Sequence, residues 1–149
     1  MAVYTVPFDN LSVTTSSDQN IWQIAAPSTR IIRLLHFELY SATTTDERVR
    51  LRLMRYTTSG SGGTGATEVL AGATSAAVGA TVTQLVTTPG TDSDVLLAWY
   101  WSQLSPLVYL PTPEARIEIA PSGIVGLHLE TAVASTRNWS GFLVWDEIG

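Results

Sequence analysis

The chain has 149 residues, enough for one domain, and it contains no cysteine, which excludes a disulfide framework and a thiolate metal site. Its net charge is −5, and all eight basic residues are arginine. Because nucleic-acid-binding proteins normally carry a basic excess, this balance argues against a nucleic-acid partner. The longest apolar run, Val95 to Trp101, is far shorter than the roughly 20 residues that span a bilayer, so we expect no membrane partner.

Short runs of strand-forming residues, separated by prolines and other turn residues, follow one another along the whole chain, and no window has a helical period. The predicted strands are Val3–Val6, Leu11–Thr15, Ile21–Ala25, Leu35–Tyr40, Arg48–Leu53, Thr81–Thr87, Val95–Trp101, Leu107–Leu110, Arg116–Ile119, Ile124–Glu130 and Trp139–Glu147. Eight to eleven short strands of this kind predict an all-β fold, a single-domain antiparallel β-sandwich over residues 1–149 that resembles a jelly roll.

Two neighbouring segments, Leu35–Tyr40 and Arg48–Leu53, alternate strictly between apolar and polar side chains. The linker between them, Ser41–Asp46, is short and polar, which predicts that the two segments form a β-hairpin. The predicted hairpin buries Leu35, Phe37, Leu39, Val49, Leu51 and Leu53.

The stretch Thr57–Asp94 breaks the strand pattern, because glycine, alanine, serine and threonine fill most of its positions. Its composition predicts a flexible excursion from the sandwich. Because it is too long for a hairpin loop, it is either mobile or held by another part of the structure or by a partner. Within it, Gly60–Gly65 matches the letters of the dinucleotide-binding motif G-x-G-x-x-G. No amphipathic helix follows to hold a pyrophosphate, so we interpret these glycines as a mobile loop.

No set of residues supports a catalytic, cofactor or metal site. The two histidines, His36 and His128, lie in separate predicted strands without a partner at zinc-ligand spacing. Asp92 and Asp94 could hold a metal through two carboxylates, but such a pair more often solubilises a turn. We therefore expect a protein that is not an enzyme, with no catalytic residues, no cofactor and no metal.

Arginine and tryptophan mark the candidate contact surface. The arginines alternate on one face of a strand, which fits either a solvated face or a surface for a sister subunit or an acidic partner. The tryptophans fit a core, a subunit interface or a carbohydrate-stacking site. The candidate interface residues are Arg48, Arg50, Arg52, Trp99, Trp101, Trp139 and Trp145. Low charge and many aromatic residues predict self-association.

Three stretches, Arg50–Thr64, Tyr109–Gly123 and Trp139–Ile148, resemble small jelly-roll virion proteins of tailed bacteriophages and prophages. The resemblance implies a head decoration (cement) protein, a homotrimer that binds the major capsid protein at the capsid surface. The alternative is a tail or baseplate module that binds host-surface glycans or a tail partner. The N-terminus lacks the basic start of a signal peptide, so we expect synthesis in the host cytoplasm.

Overall fold

The computed structural model describes residues 2–16, 18–71 and 77–149. Its strands are β1 (Ala2–Val13), β2 (Gln19–Ala25), β3 (Ile31–Ser41), β4 (Arg48–Tyr56), β5 (Thr64–Gly65), β6 (Val69–Leu70), β7 (Thr81–Val86), β8 (Asp92–Ser102), β9 (Leu107–Tyr109), β10 (Glu118–Ile119), β11 (Ile124–Leu129) and β12 (Arg137–Ile148). One 3-10 turn spans Pro113–Ala115. No helix in the described ranges is long and apolar enough to cross a membrane.

The strands form two antiparallel sheets that face each other. Sheet I has the order β10-β3-β12-β1-β6, with β9 also pairing with β3, and sheet II has the order β5-β7-β2-β11-β4-β8. The first four strands alternate between the sheets, and β11 and β12 do so again at the end of the chain. This wrapping is that of a jelly roll. The predicted all-β antiparallel sandwich is therefore confirmed.

The predicted hairpin between the third and fourth strands is wrong. In the structure β3 pairs with β12, β9 and β10 in sheet I, whereas β4 pairs with β11 and β8 in sheet II. The linker between β3 and β4 therefore crosses from one sheet to the other. Local alternation identifies the buried face of a strand, but it does not identify the strand's neighbour.

Five of the six side chains expected to be buried by these strands are buried: Phe37, Leu39, Val49, Leu51 and Leu53. The exception is Leu35, which is only half-buried, while its neighbour Leu34 has no exposed surface. The register of β3 against β12 shifts at this point, where Val144 faces His36 and Trp145 faces Leu34. Leu35 is the extra residue of this β-bulge, which changes the phase of the alternation.

Aromatic side chains join the two sheets at the centre of the core. The ring of Phe37 on sheet I contacts Trp22 of sheet II edge to face, with ring centroids 5.3 Å apart. The same ring stacks on Tyr109 at 4.8 Å and meets Trp99 of β8 at 5.9 Å. Phe37 thus packs against aromatic rings from three other strands, in edge-to-face or stacked geometries that are favourable.

The excursion at 57–94 crosses to the far side of the sandwich. It leaves β4, and its strands β6 and β7 pair with β1 of sheet I and β2 of sheet II respectively. Gly60–Gly65 leads into the short strand β5 rather than into a helix. The described part of the excursion is thus built into both sheets, and residues 72–76 of the expected flexible stretch lie outside the described residues.

Candidate functional site

The arginine row of β4 lies on the outer face of sheet II, as the alternation predicts. Arg50 and Arg52 both form ion pairs with Glu130, at 2.8 Å and 3.3 Å. Arg48 is exposed at the start of the strand. These pairs are partly open to solvent, so they contribute little stability. The row therefore remains available as a charged surface.

Tyr100 of β8 extends this surface and was not among the candidate residues. It stands opposite Arg50 in the sheet, and the guanidinium carbon of Arg50 lies 5.6 Å from the centre of its ring. Its side chain is 74% exposed. The aromatic residue of β8 that faces solvent is therefore the tyrosine between the two tryptophans, with a cation–π contact to its neighbour.

Three of the four candidate tryptophans belong to the core. Trp139 and Trp145 have no exposed surface, and Trp101 is 3% exposed. Each indole N–H has a partner inside the chain, because Trp139 donates to Gln103 and Trp101 donates to the carbonyl of Ser105. Their rings are therefore already covered within one copy of the chain.

The fourth candidate tryptophan, Trp99, lies at the boundary of the sandwich. It is half-buried on the inner face of β8, with its ring against Phe37. The candidate residues that reach a surface are thus Arg48, Arg50, Arg52 and Trp99.

Three polar side chains form a buried network on the side of sheet II that points away from sheet I. The hydroxyl of Tyr56 donates to Oδ1 of Asn20 at 2.8 Å, and Nδ1 of His128 lies 3.0 Å from the same oxygen. Since that oxygen only accepts, the neutral imidazole carries its proton on Nδ1. Burial raises the pKa of Tyr56 to about 12 and lowers the pKa of His128 below its ordinary value. Both groups are therefore neutral at neutral pH.

The other nitrogen of His128 faces a surface cleft of about 430 Å³. Nε2 lies 3.4 Å from Oδ1 of Asp18, whose side chain is largely exposed. The cleft is lined by Asp18, Pro89, Gly90, Thr91, Asp92 and His128. Two carboxylates and an imidazole acceptor can receive hydrogen bonds from a ligand with hydroxyl or ammonium groups.

The pair Asp92 and Asp94 does not converge on a common point. Asp92 lines the cleft, whereas the carboxylate of Asp94 accepts a hydrogen bond from Ser93. Within the described ranges no group of three histidine, cysteine, aspartate or glutamate side chains could hold a metal ion.

A buried carboxylate ties the segment before β7, within the excursion, to the last strand. Glu147 of β12 accepts hydrogen bonds from the backbone N–H groups of Gly79 and Ala80 and from the guanidinium of Arg30. Burial alone would raise the pKa of Glu147, but these hydrogen bonds outweigh it and lower the pKa below its ordinary value. The site is structural, since all of its donors come from the chain itself.

Two neighbouring rows on the outer face of sheet I carry little charge. One row across the sheet consists of Val69, Thr5, Val144 and His36, and the next consists of Pro7, Phe142, Glu38 and Val108. We call these two rows the apolar face. Its two ionisable side chains, His36 and Glu38, lie 2.9 Å apart and bind each other. Val69 and Val108 are 51% and 48% exposed. Such a surface fits an interface whose centre is depleted in charge.

Comparison of the chain with protein-family models, with curated proteins and with solved structures finds no match. The functional proposal therefore starts from the geometry of its surfaces.

Sequence reasoning missed the apolar face because its residues come from five strands that are far apart in the chain. A signal was present in the last strand, where Phe142 and Val144 alternate with the buried Leu143 and Trp145. An outward-facing strand position is usually polar, so apolar residues at both phases of the alternation indicate a second contact surface.

Proposed function

We propose that this protein is a structural virion component, a capsid decoration protein that binds the major capsid protein and strengthens the phage head. Binding of this kind requires contact area rather than chemistry, because many copies each bury an interface and tie neighbouring capsid subunits together. After synthesis in the host cytoplasm, the protein would reside on the capsid surface. The resemblance of three sequence stretches to jelly-roll virion proteins supports this proposal.

The apolar face is the observation that carries the proposal. The protein carries a net charge of −5, yet the ionisable side chains in these two rows of sheet I are only His36 and Glu38, which bind each other. Isolated proteins rarely leave large apolar patches open to water, and such patches mark contact sites. The surface spans several strands of one sheet, which suits a protein lattice better than a small ligand.

The test uses capsids of the corresponding phage or prophage that were assembled without this protein. The purified wild-type chain should bind them to saturation at a fixed number per capsomer and raise their resistance to heat. Val108→Glu places a charge on the apolar face and should weaken binding at least about tenfold, as expected where an exposed apolar side chain is buried by the partner. Thr81→Glu changes an exposed residue of sheet II and should bind as the wild type does.

Equal binding by the Val108→Glu and Thr81→Glu variants would overturn the role of the apolar face. If wild-type protein does not bind these capsids at all, the decoration proposal fails.

The second candidate, a tail or baseplate module that binds host-surface glycans, is favoured by the cleft at His128. Sugar hydroxyls can donate hydrogen bonds to the carboxylates of Asp18 and Asp92 and to Nε2 of His128. Retention on a glycan array or on host cell walls, lost in Asp92→Asn, would support this function. None of the described residues that line the cleft supplies the exposed aromatic ring on which sugars commonly stack, so we rank this function second.

A further inference from the structure

One edge of the sandwich is open, whereas most edges end in very short strands. The strands β5, β6 and β10 have two residues each and β9 has three, so they present little unpaired backbone. The strand β8 has eleven residues, and its described pairing is with β4 alone. A long free edge is a template for pairing with another strand.

The other long strand near an edge, β1, carries devices that prevent pairing. Its described contact with β6 involves only Tyr4 and Thr5, but Pro7 removes a backbone donor. A register shift between Phe8 and Leu11 with Asn10 at a φ of 51° bends the strand further. Proline and bulges are common ways of blocking an exposed edge.

The second half of β8 has none of these devices. Its register shifts lie toward the start, opposite Leu53/Met54 and Arg55/Tyr56, so Leu97–Ser102 pairs regularly with β4. This segment contains no proline, no glycine and no charged residue. An uncharged, aromatic edge of this kind aggregates unless a partner covers it.

We infer that β8 pairs antiparallel with β8 of a second copy, about a two-fold axis at Trp99, so that sheet II continues through a homodimer. In an antiparallel ladder, opposed residues point to the same face, so an axis at Trp99 is consistent with the alternation of the strand. The dimer is a solution property of the chain and does not depend on the proposed function.

The side chains of β8 are complementary to themselves in this register. On the outer face, Tyr100 of each copy lies opposite Ala98 of the other, so a large exposed ring meets a small residue. On the inner face, the two half-buried Trp99 rings meet at the axis and cover each other. This arrangement buries the most exposed aromatic residue of the strand and the candidate tryptophan that the core leaves partly open.

An antiparallel pair of identical strands is related by a two-fold axis, so each copy uses the same residues of β8. Two-fold interfaces of this self-complementary type are the commonest in homo-oligomers.

Light scattering at micromolar concentration should report twice 16.1 kDa for the wild type. Ala98→Lys adds a charged side chain to the edge, beside Arg52 and in the space that Tyr100 of the second copy would occupy, and should give the monomer. Ser12→Lys makes the same change at an exposed position of β1 and should leave the dimer intact. Circular dichroism should show that both variants are folded.

A cross-linking experiment tests the register independently of mass, since the wild-type chain has no cysteine. Opposed antiparallel residues have Cα atoms about 4.5–5.5 Å apart, within the range of a disulfide. A mixture of the Ala98→Cys and Tyr100→Cys proteins in oxidised glutathione should form a covalent dimer much faster than either protein alone.

A wild-type monomer or trimer, or a dimer that persists in Ala98→Lys, would overturn the inference. So would a mixture of the two cysteine variants that cross-links no faster than the separate proteins. The homotrimer implied by the resemblance is the competing prediction. The same light-scattering measurement distinguishes the two, because a trimer would have a mass of three times 16.1 kDa.

Discussion

Replacing Glu147 by glutamine should destabilise the protein although it preserves the shape of the side chain. The carboxylate is 2% exposed and receives N–H groups from Gly79 and Ala80, as well as the guanidinium of Arg30 at 2.6 Å. An amide group offers only one acceptor atom, so its NH₂ would face at least one of these donors. That donor then remains buried without a partner.

The magnitude follows from the contacts. Hydrogen bonds to a charged group contribute about 1.5–3 kcal/mol each, and leaving a buried donor unsatisfied costs about 1–3 kcal/mol. Arg30 is a third exposed and can turn toward water, which reduces the loss. We expect the free energy of unfolding to fall by about 3 kcal/mol, which for a chain of this size lowers the Tm by about 10 °C.

Urea unfolding followed by tryptophan fluorescence measures this loss at pH 7. Because the folded-state pKa of Glu147 is lowered, its stabilising effect is present above the unfolded-state pKa and disappears as the pH falls through the folded-state pKa. The difference between wild type and Glu147→Gln should therefore shrink in acid. Glu118→Gln, at an exposed strand position, should stay within about 0.5 kcal/mol of the wild type. A loss below 1 kcal/mol at pH 7, or one independent of pH, would refute this reasoning.

Leu51→Asp should abolish soluble expression, because it buries an unpaired charge at a position with no exposed surface, whereas Arg50→Gln should express normally; equal tolerance of both would contradict the assigned faces. The pKa of His128, followed by NMR, should lie below its ordinary value, and its contribution to stability should be lost as the pH falls through that pKa; an unshifted titration would contradict its burial. Gly90→Ala should lower the Tm because its Cβ would overlap a backbone carbonyl, whereas Gly65→Ala, with open space around it, should not; equal Tm values would contradict the turn geometry.

The sequence predicted the strands well, because burial on one face imposes a period of two. It misplaced the partner of β3, since a jelly roll sends neighbouring strands into opposite sheets and the six-residue linker 42–47 is long enough to cross between them. It also failed at Pro7, which was expected between strands. In the structure Pro7 lies within β1 on the outer face, opposite Phe142, where the described pairing on the other side is limited to two residues.

The candidate surface was predicted only in part. The arginine row was assigned to the correct face by its alternation, but the alternation did not identify its carboxylate partner, Glu130, which directly follows β11. Residue type alone could not divide the tryptophans between core and surface. The division depends on which side chains of β8 and β12 point toward the opposite sheet. Tyr100 points away from it and is exposed.

Cryo-electron microscopy of capsids incubated with the purified protein tests the central claim most directly. The account predicts additional density of jelly-roll shape at a fixed number of copies per capsomer, with the apolar face turned toward the major capsid protein. Capsids without added density, or density that contacts the capsid only through the arginine row of sheet II, would contradict it.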